Sequence, residues 1–289
     1  MMPENVISPA APKVMSDRLF EKISQFIYSE CGIKLIPIKK AMLQSRLRKR
    51  LKACEISSFE KYYDYLISSQ GMAKELVHAL DAVSTNKTDF FREESHFDYL
   101  RTVSLPQIIQ SIRMSSRKII YIWSAGCSSG EEPYTLAMVL NDCLRNYPGF
   151  NYEILGTDIS QRMLIQAERA IYGDQDIHPI PPSFRNKYLM KGKGAQKGNW
   201  RIVSDLRDRI RFKRLNLMDD HFDLPNPMDI IFCRNVIIYF DRSTQIRLFK
   251  KFFHYLGKGG FLFIGHSETL YGINDQFKYL QASVYRKPL

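Results

Sequence analysis

The residues best placed to do chemistry follow the apolar run Ile119-Ile120-Tyr121-Ile122-Trp123, which breaks into Ser124-Ala125-Gly126-Cys127-Ser128-Ser129-Gly130 and then Glu131-Glu132-Pro133. The β-branched run reads as a strand, the small residues as a tight turn, and the acidic residues with proline as a first helical turn. Doubly wound α/β folds bind nucleoside-containing ligands at such a place. The loop is not a phosphate cradle. It lacks the G-x-G-x-x-G spacing and a Gly-Lys-Ser/Thr ending, and two carboxylates stand where a pyrophosphate would be repelled. A ligand with a ribose and a positive charge suits it better, and S-adenosylmethionine, with its sulfonium and ammonium, is such a ligand.

Other candidates fall at the ends of further strands. Asp158 closes Ile154-Leu155-Gly156-Thr157; a carboxylate there accepts from both ribose hydroxyls and excludes a 2′-phosphate, the competing reading being a cap for the helix starting near Ser160. Glu132 is placed to hold the ammonium of a methionine moiety, against an ordinary acidic first turn. Asn216-Leu217 follow a third strand and suit the edge and face of an adenine. Phe232-Cys233-Arg234-Asn235 carries a fourth strand into an Arg-Asn pair, with Tyr239 beyond. No Asn/Asp-Pro-Pro-aromatic motif appears there, which counts against methylation of base amino groups. Cys233, without a Pro-Cys or an activating neighbour, reads as a core thiol. Thr85-Asn86-Lys87-Thr88-Asp89-Phe90-Phe91-Arg92-Glu93 is polar beside paired aromatics, odd for a plain linker, although a helix cap with buried rings is an equal reading. His266, after strand Phe261 to Gly265, is expected to hold a loop by hydrogen bonding rather than to act as a base.

The elements that must position these residues fall into two groups. Ser16 or Asp17 caps a helix ending at Gly32; Lys39 to Ala53 carries Leu43, Leu47 and Leu51 on one stripe; Ser57-Ser58-Phe59-Glu60 opens a Tyr-rich helix closing at Gly71; Ala73 to Val83 is helical in pattern. From Lys118 strands alternate with helices: strands Ile119 to Trp123, Tyr152 to Thr157, Ile210 to Leu215, Asp229 to Cys233 and Phe261 to Gly265, helices Glu132 to Leu144, Gln161 to Ala170 and Ser243 to Leu256. The fold class is therefore α/β, a Rossmann-like domain of mostly parallel strands, preceded by an all-α domain. The expected divisions are a disordered tail over 1–15, a helical domain over 16–84, a connecting segment over 85–117, and the α/β domain over 118–289. Within the last, a small β-element is inserted at about 173–208, and Phe277 to Arg286 supplies a terminal hairpin strand.

The chain has 289 residues, 45% of them hydrophobic, enough for a sizeable core. No apolar run reaches the ~18 residues of a membrane span, and the first residues carry no apolar signal core. Five cysteines without a C-x-x-C pair argue against a disulfide framework and a zinc site, leaving reduced thiols in a cytoplasmic protein. A net charge of +12 implies an acidic partner, which charge alone leaves open among nucleic acid, anionic membrane and acidic protein. Lys34 to Lys52 holds eight basic residues and no acidic one. A charge run is usually a solvated face, but one-signed density of that kind reads as a docking surface for an acidic partner.

Together these motifs resemble the CheR family, the chemoreceptor glutamate O-methyltransferases of bacterial chemotaxis. The specific parts are Thr85-Asn86-x-Thr88-x-Phe90-Phe91-Arg92-Glu93, Trp123-Ser124-Ala125 with Ser129-Gly130-Glu131-Glu132-Pro133-Tyr134, Phe232-Cys233-Arg234-Asn235-Val236 with Ile238-Tyr239-Phe240, and Gly265-His266-Ser267-Glu268. The resemblance implies cofactor contacts at Asn86, Thr88, Arg92, Glu132, Asp158, Asn216, Leu217, Arg234 and Asn235, with Arg92 and Tyr239 flanking the reacting centre. It implies docking of the basic helix, through Arg46, Arg48, Lys49, Arg50 and Lys52, on the acidic methylation helices of a receptor. A Gly-x-Gly loop, here Gly192 and Gly194, serves some members as a tether for a receptor C-terminal peptide. A monomer that neither enters a membrane nor binds a metal or nucleic acid is expected. Rival readings are a nucleic-acid methyltransferase and a non-catalytic S-adenosylmethionine-binding signalling module.

Overall fold

The computed structural model describes residues 14–113, 116–224 and 227–289, in two compact units that divide between Thr85 and Asn86. Of the tail expected over 1–15, residues 1–13 lie outside the described residues. Met15 belongs to the fold: it is buried, and its amide donates to Gln44 Oε1 at 2.9 Å.

The first unit is helical. Helix α1 (Asp17–Cys31) starts where Ser16 accepts from the Leu19 amide and stops at Gly32, left-handed with φ 72°. Helix α2 (Lys40–Ala53) buries Leu43, Leu47 and Leu51, a stripe narrow enough to leave the rest of its circumference polar. Ser58 caps α3 (Phe59–Leu66). That helix does not run on to Gly71. It ends at Leu66, and Ser68 caps a separate short helix, α4 (Ser69–Lys74), followed by α5 (Leu76–Val83). Gly71 lies inside α4 for lack of room: a Cβ there would stand 1.9 Å from the Tyr65 carbonyl oxygen.

The second unit opens with α6 (Ser95–Tyr99), a π-helical turn at Leu100–Ser104, and α7 (Leu105–Ile112). The segment 85–117 is thus more than a connection. Phe90, Phe97, Leu100, Leu105 and Ile108 are buried in one cluster with Ile120 and Ile122 of the first strand. The chain continues through β1 (Ile119–Ala125), α8 (Glu131–Cys143), β2 (Asn151–Asp158), α9 (Gln161–Arg169), β3 (Ile171–Gly173), α10 (Pro182–Tyr188), β4 (Leu189–Lys191), β5 (Asn199–Ile202) and α11 (Ser204–Arg207). It ends with β6 (Ile210–Arg214), β7 (Met228–Cys233), α12 (Arg242–Tyr255), β8 (Leu256–Ile264), β9 (Lys278–Gln281) and β10 (Val284–Arg286).

Seven strands form the main sheet in the order β6-β2-β1-β7-β8-β10-β9. The first five are parallel, and the β9–β10 hairpin adds antiparallel to β8. Alternate side chains enter two apolar clusters: Ile120, Ile122, Ile230 and Phe232 join one, while Trp123, Ala125, Ile231 and Cys233 join the other. Burial on both faces is why these strands read as continuous apolar runs. The inserted element is a separate antiparallel sheet, β3-β5-β4, spanning 171–202 rather than 173–208.

Candidate active site

Strand β1 has β2 on one side and β7 on the other. The connections leave this pair in opposite directions, so the carboxyl ends of β1 and β7 border the crevice where open α/β sheets bind ligands. Gly126 (φ 84°) and Gly130 (φ 97°) turn the chain there. A Cβ on Gly126 would meet Val236 Cγ2 at 2.4 Å, and one on Gly130 would meet Ala167 Cβ at 2.9 Å, so only glycine closes the loop. The Ser128 amide donates to Asp158 Oδ2 at 2.8 Å, its hydroxyl to the Asn86 carbonyl at 2.8 Å, and the Ser160 amide to Asp158 Oδ1 at 2.9 Å. Helix α9 is capped by the Ser160 hydroxyl, so the capping role considered for Asp158 falls to Ser160. Two backbone donors orient the Asp158 carboxylate, which offers about four lone-pair sites in all.

Arg234, at the end of β7, is the hub of the crevice. It is 7% exposed, and its Nη1 donates to Glu132 Oε2 at 3.0 Å. Its Nε and Nη2 donate to Glu93 Oε2 at 3.3 and 3.1 Å, and Nη2 also donates to the Arg92 carbonyl. The other Glu132 oxygen accepts from Ser124 Oγ at 2.6 Å. The other Glu93 oxygen accepts from Asn235 Nδ2 at 3.3 Å and from the His266 amide at 3.2 Å. Glu132, read as the partner of a ligand ammonium, is therefore also the counter-ion of Arg234. Burial raises its pKa, against the pull of Arg234 and Ser124. At Glu93 burial also pushes upward, but Arg234, the His266 amide and Asn235 outweigh it and hold the carboxyl below its ordinary value. Two carboxylates around one guanidinium leave surplus negative charge, and Asp158 adds more. Such a rim attracts a cation.

Four non-glycine residues of this region are left-handed: Phe91 (φ 54°), Glu93 (φ 58°), Ser128 (φ 48°) and Asn235 (φ 57°). For a bulky residue such as Phe91 that conformation is costly, and backbone strain of this kind concentrates at functional sites. Arg92 lies between two of them, half-buried, with Nη1 donating to the Lys87 carbonyl at 3.1 Å. Half-buried Asn86 and Thr88 belong to the same stretch. Tyr239 ends a short 3-10 turn, Ile237–Tyr239, and is half-buried.

Asn216 and Leu217 follow β6. Asn216 Oδ1 accepts from the Met218 amide at 3.1 Å, and Leu217 packs against the second apolar cluster. Glu93 and Glu268 escaped the sequence reading as site residues, although both stand in quoted motifs. Glu93, His96 and His266 group their ligand-type atoms within 4.8 Å, but the Arg234 guanidinium already sits on that carboxylate. His96 is fully buried, and burial drops its pKa to about 3, so it stays neutral. His266 holds a loop as expected, with Nε2 3.2 Å from Ser95 Oγ. Cys233 is buried, with its thiol pushed well up.

In the first unit the five candidate docking residues separate. Arg48, Lys49 and Lys52 are exposed. Arg50 is engaged inside the unit, with Nε and Nη2 each 2.8 Å from a Glu75 oxygen. Arg46 Nη1 donates to the Val83 and Ser84 carbonyls at the end of α5. In the inserted sheet β4 is an edge strand, and the β4–β5 loop holds Gly192, where a Cβ would lie 2.1 Å from the Gln196 carbonyl oxygen, and Gly194 at φ 56°.

The crevice fits S-adenosylmethionine: a turn that admits no Cβ at Gly126 or Gly130, an oriented carboxylate at the end of β2, and a negative rim around Arg234. Among the described residues no helix is long and apolar enough to cross a membrane. Residues 86–286 match the family described as CheR methyltransferase, SAM binding domain, and residues 18–84 match its all-alpha domain. The chain is 41% identical over 267 residues to the chemotaxis protein methyltransferase of Borreliella burgdorferi, covering 92% of this chain and 93% of that one. It is 38% identical over 272 residues to that of Klebsiella aerogenes, covering 94% and 90%, and 35% identical over 271 residues to that of Escherichia coli, covering 94% and 91%. With both of its units matched in order, this chain belongs to the CheR family of S-adenosylmethionine-dependent chemotaxis methyltransferases.

Proposed function

We propose that the protein transfers a methyl group from S-adenosylmethionine to glutamate side chains of methyl-accepting chemoreceptors, forming methyl esters and S-adenosylhomocysteine in chemotactic adaptation. The observation that carries this reading is the Glu93–Arg234–Glu132 assembly at the β1/β7 crevice, with Asp158 oriented beside it. S-adenosylmethionine supplies an electrophilic methyl group on a sulfonium. Asp158 holds the ribose, Glu132 and Arg234 the amino-acid end, Asn216 and Leu217 the adenine, and Asn86, Thr88 and Asn235 complete the binding set. A glutamate with a pKa near ~4.3 is already ionised at neutral pH, so no general base is required. Neutral, buried His96 accords with that. Arg92 and Tyr239 orient the incoming carboxylate in line with the bond to be broken.

The exposed Arg48, Lys49 and Lys52 meet the acidic methylation helices, with Arg46 and Arg50 bracing the helix that presents them. The β4 edge and the Gly192–Gly194 loop take an extended receptor C-terminal peptide by strand addition. The protein acts as a monomer in the cytoplasm.

The test is transfer of radiolabel from S-adenosylmethionine to membranes bearing chemoreceptors, followed by mild alkali. Label released as volatile methanol and lost in a folded Arg92→Ala variant is the expected result. Cofactor binding without label would leave a non-catalytic module, and alkali-stable label on nucleic acid would overturn the substrate class.

A further inference from the structure

We infer that Glu268 is a positioning residue for methyl transfer, acting through the loop that carries Asn235 and Tyr239. The inference rests on the role proposed above for Tyr239. After Cys233 the chain leaves β7, turns left-handed at Asn235 and enters the short turn Ile237–Tyr239. No side chain within that turn caps it. The amides are held instead by a carboxylate from beyond β8: Glu268 Oε1 accepts from the Ile237 and Ile238 amides at 2.9 and 3.2 Å, and Oε2 accepts from Asn235 at 3.1 Å and Gly265 at 2.6 Å. Four backbone donors from two segments converge on one side chain that is 9% exposed.

Such a group fixes geometry. Backbone amides that have lost water and share one buried carboxyl group cannot shift without leaving a donor unmet. The opposite side of Asn235 is held as well, its Nδ2 donating to Glu93 Oε1 at 3.3 Å. Gly265 makes the approach feasible. A Cβ there would stand 2.5 Å from Asn235 Nδ2 and 2.9 Å from Glu268 Oε2, so the end of β8 must be glycine for carboxylate and loop to meet. Arg234, Asn235 and Tyr239 are thereby set relative to one another by a residue that grips the backbone carrying them.

Glu268→Gln replaces one oxygen with an amide nitrogen that faces backbone donors, and the loop loses half of its anchor. The test is a double-mutant cycle of Glu268→Gln with Tyr239→Phe, reading kcat for methyl transfer to receptor-bearing membranes at saturating S-adenosylmethionine, with Tm measured alongside. A residue acting through Tyr239 lowers kcat at least tenfold in the parent and less than twofold in the Tyr239→Phe background. A merely structural loss removes the same fraction of active protein from both, so equal losses overturn the inference, as does a fully active Glu268→Gln. Gly265→Ala, which presses on Asn235 from the same side, replaces Glu268→Gln in the cycle should the latter fail to fold, with the same expected outcome. A silent Tyr239→Phe removes the Tyr239 assignment and this inference with it; an impaired Tyr239→Phe combined with an additive Glu268→Gln removes this inference alone.

Discussion

Two regions of the molecule use charge in opposite ways. On α2, Arg48, Lys49 and Lys52 stand in water. At the crevice, Arg234 is buried between Glu93 and Glu132, and each partner is itself held by further hydrogen bonds. The first arrangement acts at a distance and is indifferent to geometry, since solvent screens exposed charges within about 8 Å at physiological salt. The second is short-ranged, desolvated and interlocked. A charge standing in water can be moved with little consequence for the fold, while a charge interlocked with buried partners cannot be removed without stranding its neighbours.

Arg234→Ala gives the largest break in that comparison. It leaves two mostly buried carboxylates facing each other, and removal of one member of a buried ion assembly costs about 3–5 kcal/mol. A fall of that size in the denaturation free energy, together with loss of S-adenosylhomocysteine binding by calorimetry, is expected. A variant of unchanged Tm would show that the assembly contributes no net stability.

The neighbouring Glu131 sharpens it through pH. It is 6% exposed, and burial raises its carboxyl to about 7, opposed by the Ser129 hydroxyl, which lies 2.9 and 2.8 Å from its two oxygens. Below pH 4.5 both folded and unfolded chains hold the proton. Between 4.5 and 7 only the folded chain does, so stability falls as pH rises through that window and the cost is complete above it. Glu131→Gln should be more stable than the parent at pH 8, by up to about 3 kcal/mol, with the advantage vanishing towards pH 4.5. Melting curves of both proteins across pH 4.5–8 check this, and a pH-independent difference would refute it.

Arg50→Ala is smaller and tests the basic helix from within. Glu75 is 3% exposed but keeps Tyr62 and Cys54 as donors at 2.8 and 3.3 Å. The loss should therefore be about 2 kcal/mol rather than the full cost of an orphaned carboxylate. Urea denaturation of Arg50→Ala beside Lys52→Ala, which should match the parent, separates bracing from exposed residues on one helix.

What the chain revealed before folding follows the same division. The strands and the β1 turn were legible because double-sided burial produces unbroken apolar runs and because Gly126 and Gly130 take the positive φ of a tight turn. Gly71 misled because its requirement is steric, set by Tyr65, and not the positive φ of a helix end. The segment 85–117 read as a connection because aromatic residues such as Phe90 and Phe97 are buried by tertiary contacts that no periodicity announces. Glu93 and Glu268 were not singled out, since an acidic residue in sequence carries no sign of the donors that will surround it. Arg46 and Arg50 read as outward charges because their partners, Val83, Ser84 and Glu75, lie on or just past other helices.

The smallest structural effect belongs to Arg48, Lys49 and Lys52, and it is the one that isolates recognition. Replacing all three with Gln removes three exposed positive charges, so stability should stay within about 0.5 kcal/mol of the parent per substitution. Cofactor affinity should not change. If the face draws acidic receptor helices, KM for receptor rises several-fold at low salt and the difference from the parent shrinks as salt is added, while kcat at saturating receptor is preserved. A KM unchanged at low ionic strength would end the docking role of α2. A rise that persists undiminished at high salt would point to desolvated, geometry-bound contacts of the kind found around Arg234, and the contrast between the two regions would fail at its exposed end.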